Sequence, residues 1–287
     1  MKAKSFKLIT TLALCALTIC LCACDEWPHN TSTPTAVTGN LQVHFIDVGQ
    51  GDSILIDLGT TEVLIDAGEK SPGVTDYLKK YVDGDLEVMV ATHPHSDHIG
   101  GLLKVLDEFT VDNIWVNGDT ATSKTYTDFM TKATGEGAQM HEARRGDTIV
   151  AGALTFHVLN PVDPLFDNTN DNSIVLELSY GIIDFLFEGD AEVDAESSMI
   201  SAGVLSDIDI LKVGHHCSRT ASSPAFLNII KPEVAVYMAG VGNVYGHPHQ
   251  ESLTALQNVG AAIYGTDING SIVISTDGAT YTIQTEK

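Results

Sequence analysis

The spacing of apolar residues changes period along the chain, and each change marks an element. Val43-His44-Phe45-Ile46-Asp47-Val48 reads as a strand, and Gly49-Gln50-Gly51-Asp52 ends it in a turn. Ser53–Leu58 and Glu62–Asp66, on either side of Gly59-Thr60-Thr61, predict a hairpin. A helix is expected over Val74–Tyr81. Leu86–Ala91 is apolar except for Glu87, as a strand buried on both faces should be. Asp171–Leu178 and Ile182–Phe187, around Tyr180-Gly181, repeat the hairpin pattern. Strands and helices then alternate through Ile208–Val213, Ser223–Ile230, Val234–Met238, Gln250–Val259 and Ala261–Tyr264, before a closing hairpin of Ser271–Ser275 with Ala279–Ile283. The chain thus divides into two similar halves. This order predicts an α/β fold in which two β-sheets pack face to face with helices outside.

Composition supports one large domain and changes the picture at the N-terminus. The chain has 287 residues, 44% of them hydrophobic and 18% charged, enough for a sizeable core. Met1–Ala23 carries Lys2, Lys4 and Lys7 ahead of an apolar run from Leu8 to Cys22, the layout of an export signal rather than a spanning helix. Its end, Leu21-Cys22-Ala23-Cys24, resembles the bacterial lipobox, which implies cleavage before Cys24 and lipidation of that residue as a membrane anchor. An ordinary secretory signal cleaved nearby is the alternative. Residues 24–40 then form a Thr/Pro/Ser-rich tether, and 41–287 the folded domain. Four of the five cysteines fall at 15, 20, 22 and 24, leaving Cys217 alone in the mature domain and no disulfide framework.

Charge narrows the substrate. Loss of three lysines with the signal takes the formal charge of −23 to −26, and Arg144, Arg145 and Arg219 are the only arginines. A protein that grips long nucleic acid through its phosphates normally presents a basic face, so the surroundings of any site here should repel a polyanion.

The chemistry is concentrated after the strand Leu86–Ala91. Thr92-His93-Pro94-His95-Ser96-Asp97-His98-Ile99-Gly100-Gly101 places three histidines and an aspartate within six positions, His93–His98. Imidazole nitrogen and carboxylate oxygen suit zinc, manganese and iron, and an ordinary loop has little use for four such groups together. In an extended segment His93 and His95 point to one side and can share an ion. Asp97 and His98 could hold a second as the chain turns into the apolar stretch Leu102, Leu103, Val105, Leu106, where Gly100 and Gly101 would let a helix pack closely. One loop cannot complete two coordination shells, so partners are expected downstream. Phe185-Leu186-Phe187-Glu188-Gly189-Asp190 is an apolar strand ending in Gly-Asp, which makes Asp190 the candidate bridge. The strand Asp209–Val213 runs into Gly214-His215-His216-Cys217-Ser218, where either histidine could face inward. Tyr245-Gly246-His247-Pro248-His249 is a further histidine cluster in a loop.

Together these residues resemble the metallo-β-lactamase fold superfamily, and within it the hydrolase domain of ComEC-type DNA-uptake proteins and their stand-alone relatives, which include phosphorylcholine esterases. The matching pieces are Phe45–Ser53, Leu64–Gly68, Thr92–Gly101, Asp171–Ser173, Glu188–Asp190, Leu211–Ser218, Tyr245–His249 and Asn269-Gly270. The resemblance implies an αββα sandwich over nearly the whole mature domain. It also implies two divalent metal ions, Zn2+ or Mn2+, the first on His93 and His95 and the second on Asp97, His98 and His216. Asp190 would bridge both, with His215 the rival of His216. Two departures stand out. Many superfamily members carry a further histidine before the hairpin that ends at Asp190, where this chain has Asp167-Asn168-Thr169-Asn170-Asp171-Asn172, so the first ion is expected to be held more loosely. The glycine usual after the paired histidines is Cys217, either a small buried filler or a soft extra ligand. Asp47 and Asp66 are expected to orient histidines from behind.

A two-metal site activates water, so no protein nucleophile is required. Asp97 belongs to the catalytic group, and a leaving-group acid or phosphate contact is expected from His247, then His215, with Asn243, Tyr245 and Ser218 as further contacts. The expected function is an extracytoplasmic, membrane-anchored bacterial hydrolase of phosphodiesters. Its substrate is DNA, in a nuclease, or a small or lipid-linked phosphodiester, as in a phosphorylcholine-esterase-like enzyme. After the signal no apolar run is long enough to span a bilayer. A non-catalytic surface binding protein that retains the fold is the reading from another class, and the complete run His93–His98 with Asp190 and the His215/His216 pair argues against it.

Overall fold

In a computed structural model the chain is described at residues 39–71, 73–135 and 137–287. The expected signal at 1–23, Cys24 and all but the end of the tether lie outside the described residues. In chain order the strands are β1 (Leu41–Phe45), β2 (Ile54–Asp57), β3 (Glu62–Ile65), β4 (Leu86–Ala91), β5 (Val111–Val116), β6 (Gln139–Glu142), β7 (Thr148–Ala151), β8 (Leu154–Asn160), β9 (Val175–Tyr180), β10 (Ile183–Phe187), β11 (Ile210–Lys212), β12 (Val234–Tyr237), β13 (Ala262–Gly265), β14 (Ile272–Thr276) and β15 (Tyr281–Thr285). They form one sheet in the order β15-β14-β1-β2-β3-β4-β5-β6 and another in the order β13-β12-β11-β10-β9-β8-β7.

The duplication read from the sequence is visible in the pairing. In the first sheet β1, β2 and β3 are antiparallel and β3 through β6 run parallel. In the second, β8, β9 and β10 are antiparallel and β10 through β13 run parallel. The closing hairpin does not stay with the second half. Strand β14 pairs with β1 and β15 with β14, so the C-terminus completes the first sheet.

Packing explains the apolar patterns. Ile54, Ile56, Val63, Ile65, Val88 and Val90 share one buried cluster with Phe156, Leu176, Leu178, Phe185, Phe187 and Val236 of the other sheet. The intervening Leu55, Leu64, Met89 and Ile114 pack on the opposite face with Leu78, Leu102, Val105, Leu106 and Phe129 of the helices Thr75–Leu78, Leu102–Glu108 and Lys124–Gly135. With both faces covered, alternation merges into continuous apolar runs. Each such side chain contributes about 1.5–3 kcal/mol on burial, which makes β4, β10 and β11 a firm base for the loops at their carboxyl ends.

Several elements carried too weak a signal to be predicted. Strands β6 and β7 lie at sheet edges, where exposed residues break the apolar pattern. The helix Lys124–Gly135 buries only Phe129 and Ala133. The helix expected over Val74–Tyr81 shrinks to Thr75–Leu78, whose first turn has no side-chain cap.

Candidate metal centre

Asp190 joins the two halves of the site. It leaves the end of β10 in the turn Glu188-Gly189-Asp190, where its N–H donates to Ser173 Oγ at 3.1 Å. Asp171 accepts from the N–H groups of Glu192 and Ala195 at 3.1 and 3.0 Å, so the polar run Asp171-Asn172-Ser173 is a buried clamp on that turn. Asp190 is 2% exposed, and its oxygens face different rings. Oδ1 lies 3.2 Å from His98 Nε2 and 3.5 Å from His216 Nε2, whereas Oδ2 lies 3.7 Å from His93 Nε2 and 3.8 Å from His215 Nε2. His95 Nδ1 is 3.0 Å from His93 Nε2, and Asp97 Oδ2 is 3.3 Å from His216 Nε2. The structure thus gathers His93, His95, Asp97, His98, Asp190, His215 and His216 around one point. His247 stands on the rim, its ring 5.4 Å from that of His215 and 5.8 Å from that of His216. Gln50, Ser96, Asn170 and Tyr245 complete the lining of a cleft of about 310 Å³.

Four of the imidazoles are held from behind. His98 Nδ1 donates to Asp66 at 2.8 Å, and Asp66 also accepts from Thr92 N and Thr92 Oγ1 at 2.9 and 2.6 Å. Thr92 Oγ1 in turn lies 3.1 Å from His93 Nδ1. His216 Nδ1 donates to the Met238 carbonyl at 2.9 Å, and His215 Nδ1 meets Glu192 at 2.7 Å. Contacts of this kind fix ring orientation and leave Nε2 free to face a cation. Asp66 therefore acts as expected, but Asp47 does not. It accepts from Gly49 N and pairs with Lys287, turned toward the C-terminal hairpin and away from the histidines.

Two buried groups escaped the sequence reading. Lys212 and Asp52 are 0% and 1% exposed and form an ion pair at 2.5 Å, and Asp52 Oδ1 comes within 3.3 Å of His216 Nδ1. A lysine inside the apolar strand Ile210–Lys212 was the available signal. Gly51 lets the Asp52 turn approach. A Cβ there would stand 2.1 Å from the carbonyl oxygen of Asp97, and its φ of +126° disfavours any side chain.

Burial opposes charge on all these groups, yet the carboxylates prevail at two histidines. Burial alone would lower His98, but Asp190 and Asp66 hold it well above its ordinary range. His216 is likewise pushed up to about 10, against burial, by Asp190 and Asp52. Asp190 resists the upward pull of burial and is held well below the carboxylate range by His216 and His98. His93 falls well below its usual value through burial and the charge on His98, and His247 falls to about 4 through burial and then His216 and His215. Protons on His98 and His216 thus supply positive charge that the acidic cluster calls for.

The residues fit a pair of divalent cations. His98 Nε2, His216 Nε2 and Asp190 Oδ1 are buried without a well-directed hydrogen bond, although they crowd within 3.5 Å of one another's neighbours around Asp190. Potential ligand atoms within 4.8 Å of one another form two groups, Asp52, His98, Asp190 and His216 in one and His93, His95 and Asp190 in the other. Asp52 enters by position, but its Lys212 pair makes it a supporting charge behind His216. Cys217 is buried, burial pushes its thiol up to about 12, and its sulfur belongs to neither of the two groups of potential ligand atoms. Among the weaker contact candidates, Asn243 spends its amide on Gly240, Tyr245 and His247 within its own loop, and Ser218 Oγ is engaged with Thr220. Tyr245 alone of these reaches the cleft.

Comparison with known proteins bears on the family and the fold. The sequence model of the metallo-beta-lactamase superfamily matches residues 46–241. ComE operon protein 3 of Bacillus subtilis is 30% identical over 253 residues, covering 80% of this chain and 32% of that protein. Recombination protein 2 of Haemophilus influenzae is 28% identical over 242 residues, covering 82% and 29%. The chain spans about a third of the length of these curated relatives. Among solved structures, the metallo-beta-lactamase fold protein YhfI from Bacillus subtilis has a TM-score of 0.54 at 14% identity, covering 83% of this chain and all of that one. A likeness at that identity speaks to fold alone.

Proposed function

Because the chain belongs to the metallo-beta-lactamase superfamily, we propose that it is a binuclear metal-dependent hydrolase that cleaves phosphodiesters outside the cytoplasm, tethered to the membrane through a lipidated Cys24. The observation that carries this reading is the buried Asp190 carboxylate, one oxygen toward His98 and His216 and the other toward His93. When bound, two ions such as Zn2+ or Mn2+ would lower the pKa of water to yield a nucleophile at neutral pH and offset the charge that builds on phosphoryl oxygens.

The chain's own groups position the substrate. His93, His95 and Asp190 would hold the first ion, and Asp97, His98 and His216, with Asp190, the second. His247, pushed down to about 4, is neutral at physiological pH and suits a hydrogen bond to a phosphate oxygen better than proton delivery to a leaving group. Tyr245 stacks on it with centroids 5.7 Å apart, steadying the ring at the rim.

Charge bears on the substrate class. Arg144 bonds Asp163 and the carbonyls of Asn117 and Ala143, and Arg145 bonds the Leu159 carbonyl and Ser198, so both are committed to the fold. Arg219 rests against His249 and Glu251. The rim therefore offers few cations to a long polyanion, which favours short or lipid-linked phosphodiesters of the phosphorylcholine-ester kind. Relatives named for competence and recombination bring DNA forward as the polymeric alternative.

Protein loaded with Zn2+ or Mn2+ should hydrolyse bis(p-nitrophenyl) phosphate, and Asp190→Asn should lose at least about 10²–10³-fold in turnover, the cost of removing one preorganised polar group from a site that stabilises developing charge. Supercoiled and single-stranded DNA beside phosphorylcholine esters separates the substrate classes. A fully loaded protein that hydrolyses none of them would sink the reading. Failure to retain metal at all would favour a binding protein built on the same fold.

A further inference from the structure

We propose that His215 is the third imidazole of the first ion's site, aimed there by Glu192 and Asn170. This deepens the binuclear reading and rests on it. The carboxylate of Asp190 divides the surrounding nitrogens into two pairs, and His215 falls on the same side as His93. Their Nε2 atoms lie 3.8 and 3.7 Å from Oδ2, while His98 and His216 face Oδ1. The tight group on the Oδ2 side is His93, His95 and Asp190, and His215, 3.8 Å from the same oxygen, would add a fourth protein ligand, with bound water making the ion five-coordinate.

Its support has the form found behind the other rings. Glu192 meets His215 Nδ1 at 2.7 Å, as Asp66 meets His98 Nδ1 at 2.8 Å. Glu192 is itself held by Asn170 Nδ2 at 3.0 Å and Asn168 Nδ2 at 3.1 Å. Asn170 thus acts on the ring through Glu192, holding the carboxylate that accepts from His215 Nδ1. The Asn/Asp-rich stretch from 167 to 172 therefore supplies the support for a ligand rather than the ligand.

The backbone agrees. His215 and His216 are consecutive, and both adopt positive φ, 45° and 53°, a region that side-chain-bearing residues rarely enter. This conformation sends neighbouring rings to opposite oxygens of Asp190.

The test is metal binding, read apart from turnover. Wild-type chain loaded with Co2+ or Zn2+ and dialysed against graded chelator should retain two equivalents, and His215→Ala should lose one of them, with the visible Co2+ bands of that ion changed. Glu192→Gln preserves volume and should weaken the same ion by about 10–100-fold, as loss of a ring-orienting partner does. This variant decides the matter should His215→Ala fail to fold. If both variants bind two ions as tightly as wild type while turnover falls, His215 touches substrate and the proposal is overturned. If wild type itself binds fewer than two ions, the binuclear reading falls first.

Discussion

The loop after β4 and the loop after β11 occupy equivalent places in the two halves, yet they aim their histidines by different means. After β4 the chain stays extended at His95 (φ −74°, ψ 149°) and then enters the short helix Ser96–Ile99, so four ligand-type side chains converge with ordinary backbone geometry. After β11 it turns at once through Gly214–Cys217, where His215, His216 and Cys217 have φ of 45°, 53° and 64°. Left-handed geometry costs about 1–2 kcal/mol per residue that carries a side chain. The first loop concentrates its chemistry through spacing, the second through backbone strain. Their supports differ as well, since hydrogen bonds to Asp66 lie behind the first and a buried Lys212–Asp52 ion pair behind the second.

Removal of metal acts on both loops together and should produce the largest effect. Without ions, His98 and His216 carry the compensating charge, one from each loop. His216 sits at about 10 against an ordinary 6.5. Its stabilising contribution is complete below 6.5 and is lost as pH rises through 10, because the folded state binds this proton more tightly than the unfolded chain. Chelated protein should therefore lose melting temperature steadily across that window, and His216→Gln should flatten the slope. A level profile in the chelated wild type would mean that the loops do not share this charge.

Lys212→Met separates the two supports. It leaves Asp52 buried and uncompensated beneath the second loop and should cost about 3–5 kcal/mol in urea unfolding, the range for breaking a buried pair. Adding Asp52→Leu should recover much of the loss, since a well-packed apolar replacement of both partners is often close to neutral. If the single variant is harmless, the second loop does not depend on the ion pair. Asp66→Asn probes the first loop in the same spirit. It should weaken metal affinity about 10–100-fold by freeing the His98 ring, measured by chelator competition.

These contrasts also explain what could be read from sequence. His93, His95, Asp97 and His98 were legible because a regular backbone converts spacing directly into geometry. Asp190 and the His215/His216 pair were legible as strand ends, but which oxygen each ring faces depends on the left-handed turn, which no local pattern announces. Lys212, Asp52 and Glu192 act across long sequence separations, so only the folded pairing of β10 with β11 and the approach of Gly51 to Asp97 place them. The two apolar hairpins and the parallel strands β4, β11 and β12 were clear because their residues are almost all buried, whereas β5 and β8, whose burial is interrupted, went unread. The edge strands β6 and β7 were silent for the same reason.

The smallest effect belongs to the strain itself. Cys217 is fully buried at φ 64°, so a substitution there should perturb the second loop through backbone preference as well as packing. Valine fills a similar space but is branched at Cβ, which the left-handed region tolerates poorly. Cys217→Val should therefore lower the melting temperature, because branching at Cβ adds to the strain that the cysteine already bears, whereas Cys217→Gly should be nearer neutral because relief of strain offsets the lost contacts and the added freedom of the unfolded chain. Thermal melts of the two variants decide it. Were valine tolerated as well as glycine, positive φ at this turn would carry little energy, and the aiming of His215 and His216 would have to come from Glu192 and Met238 alone.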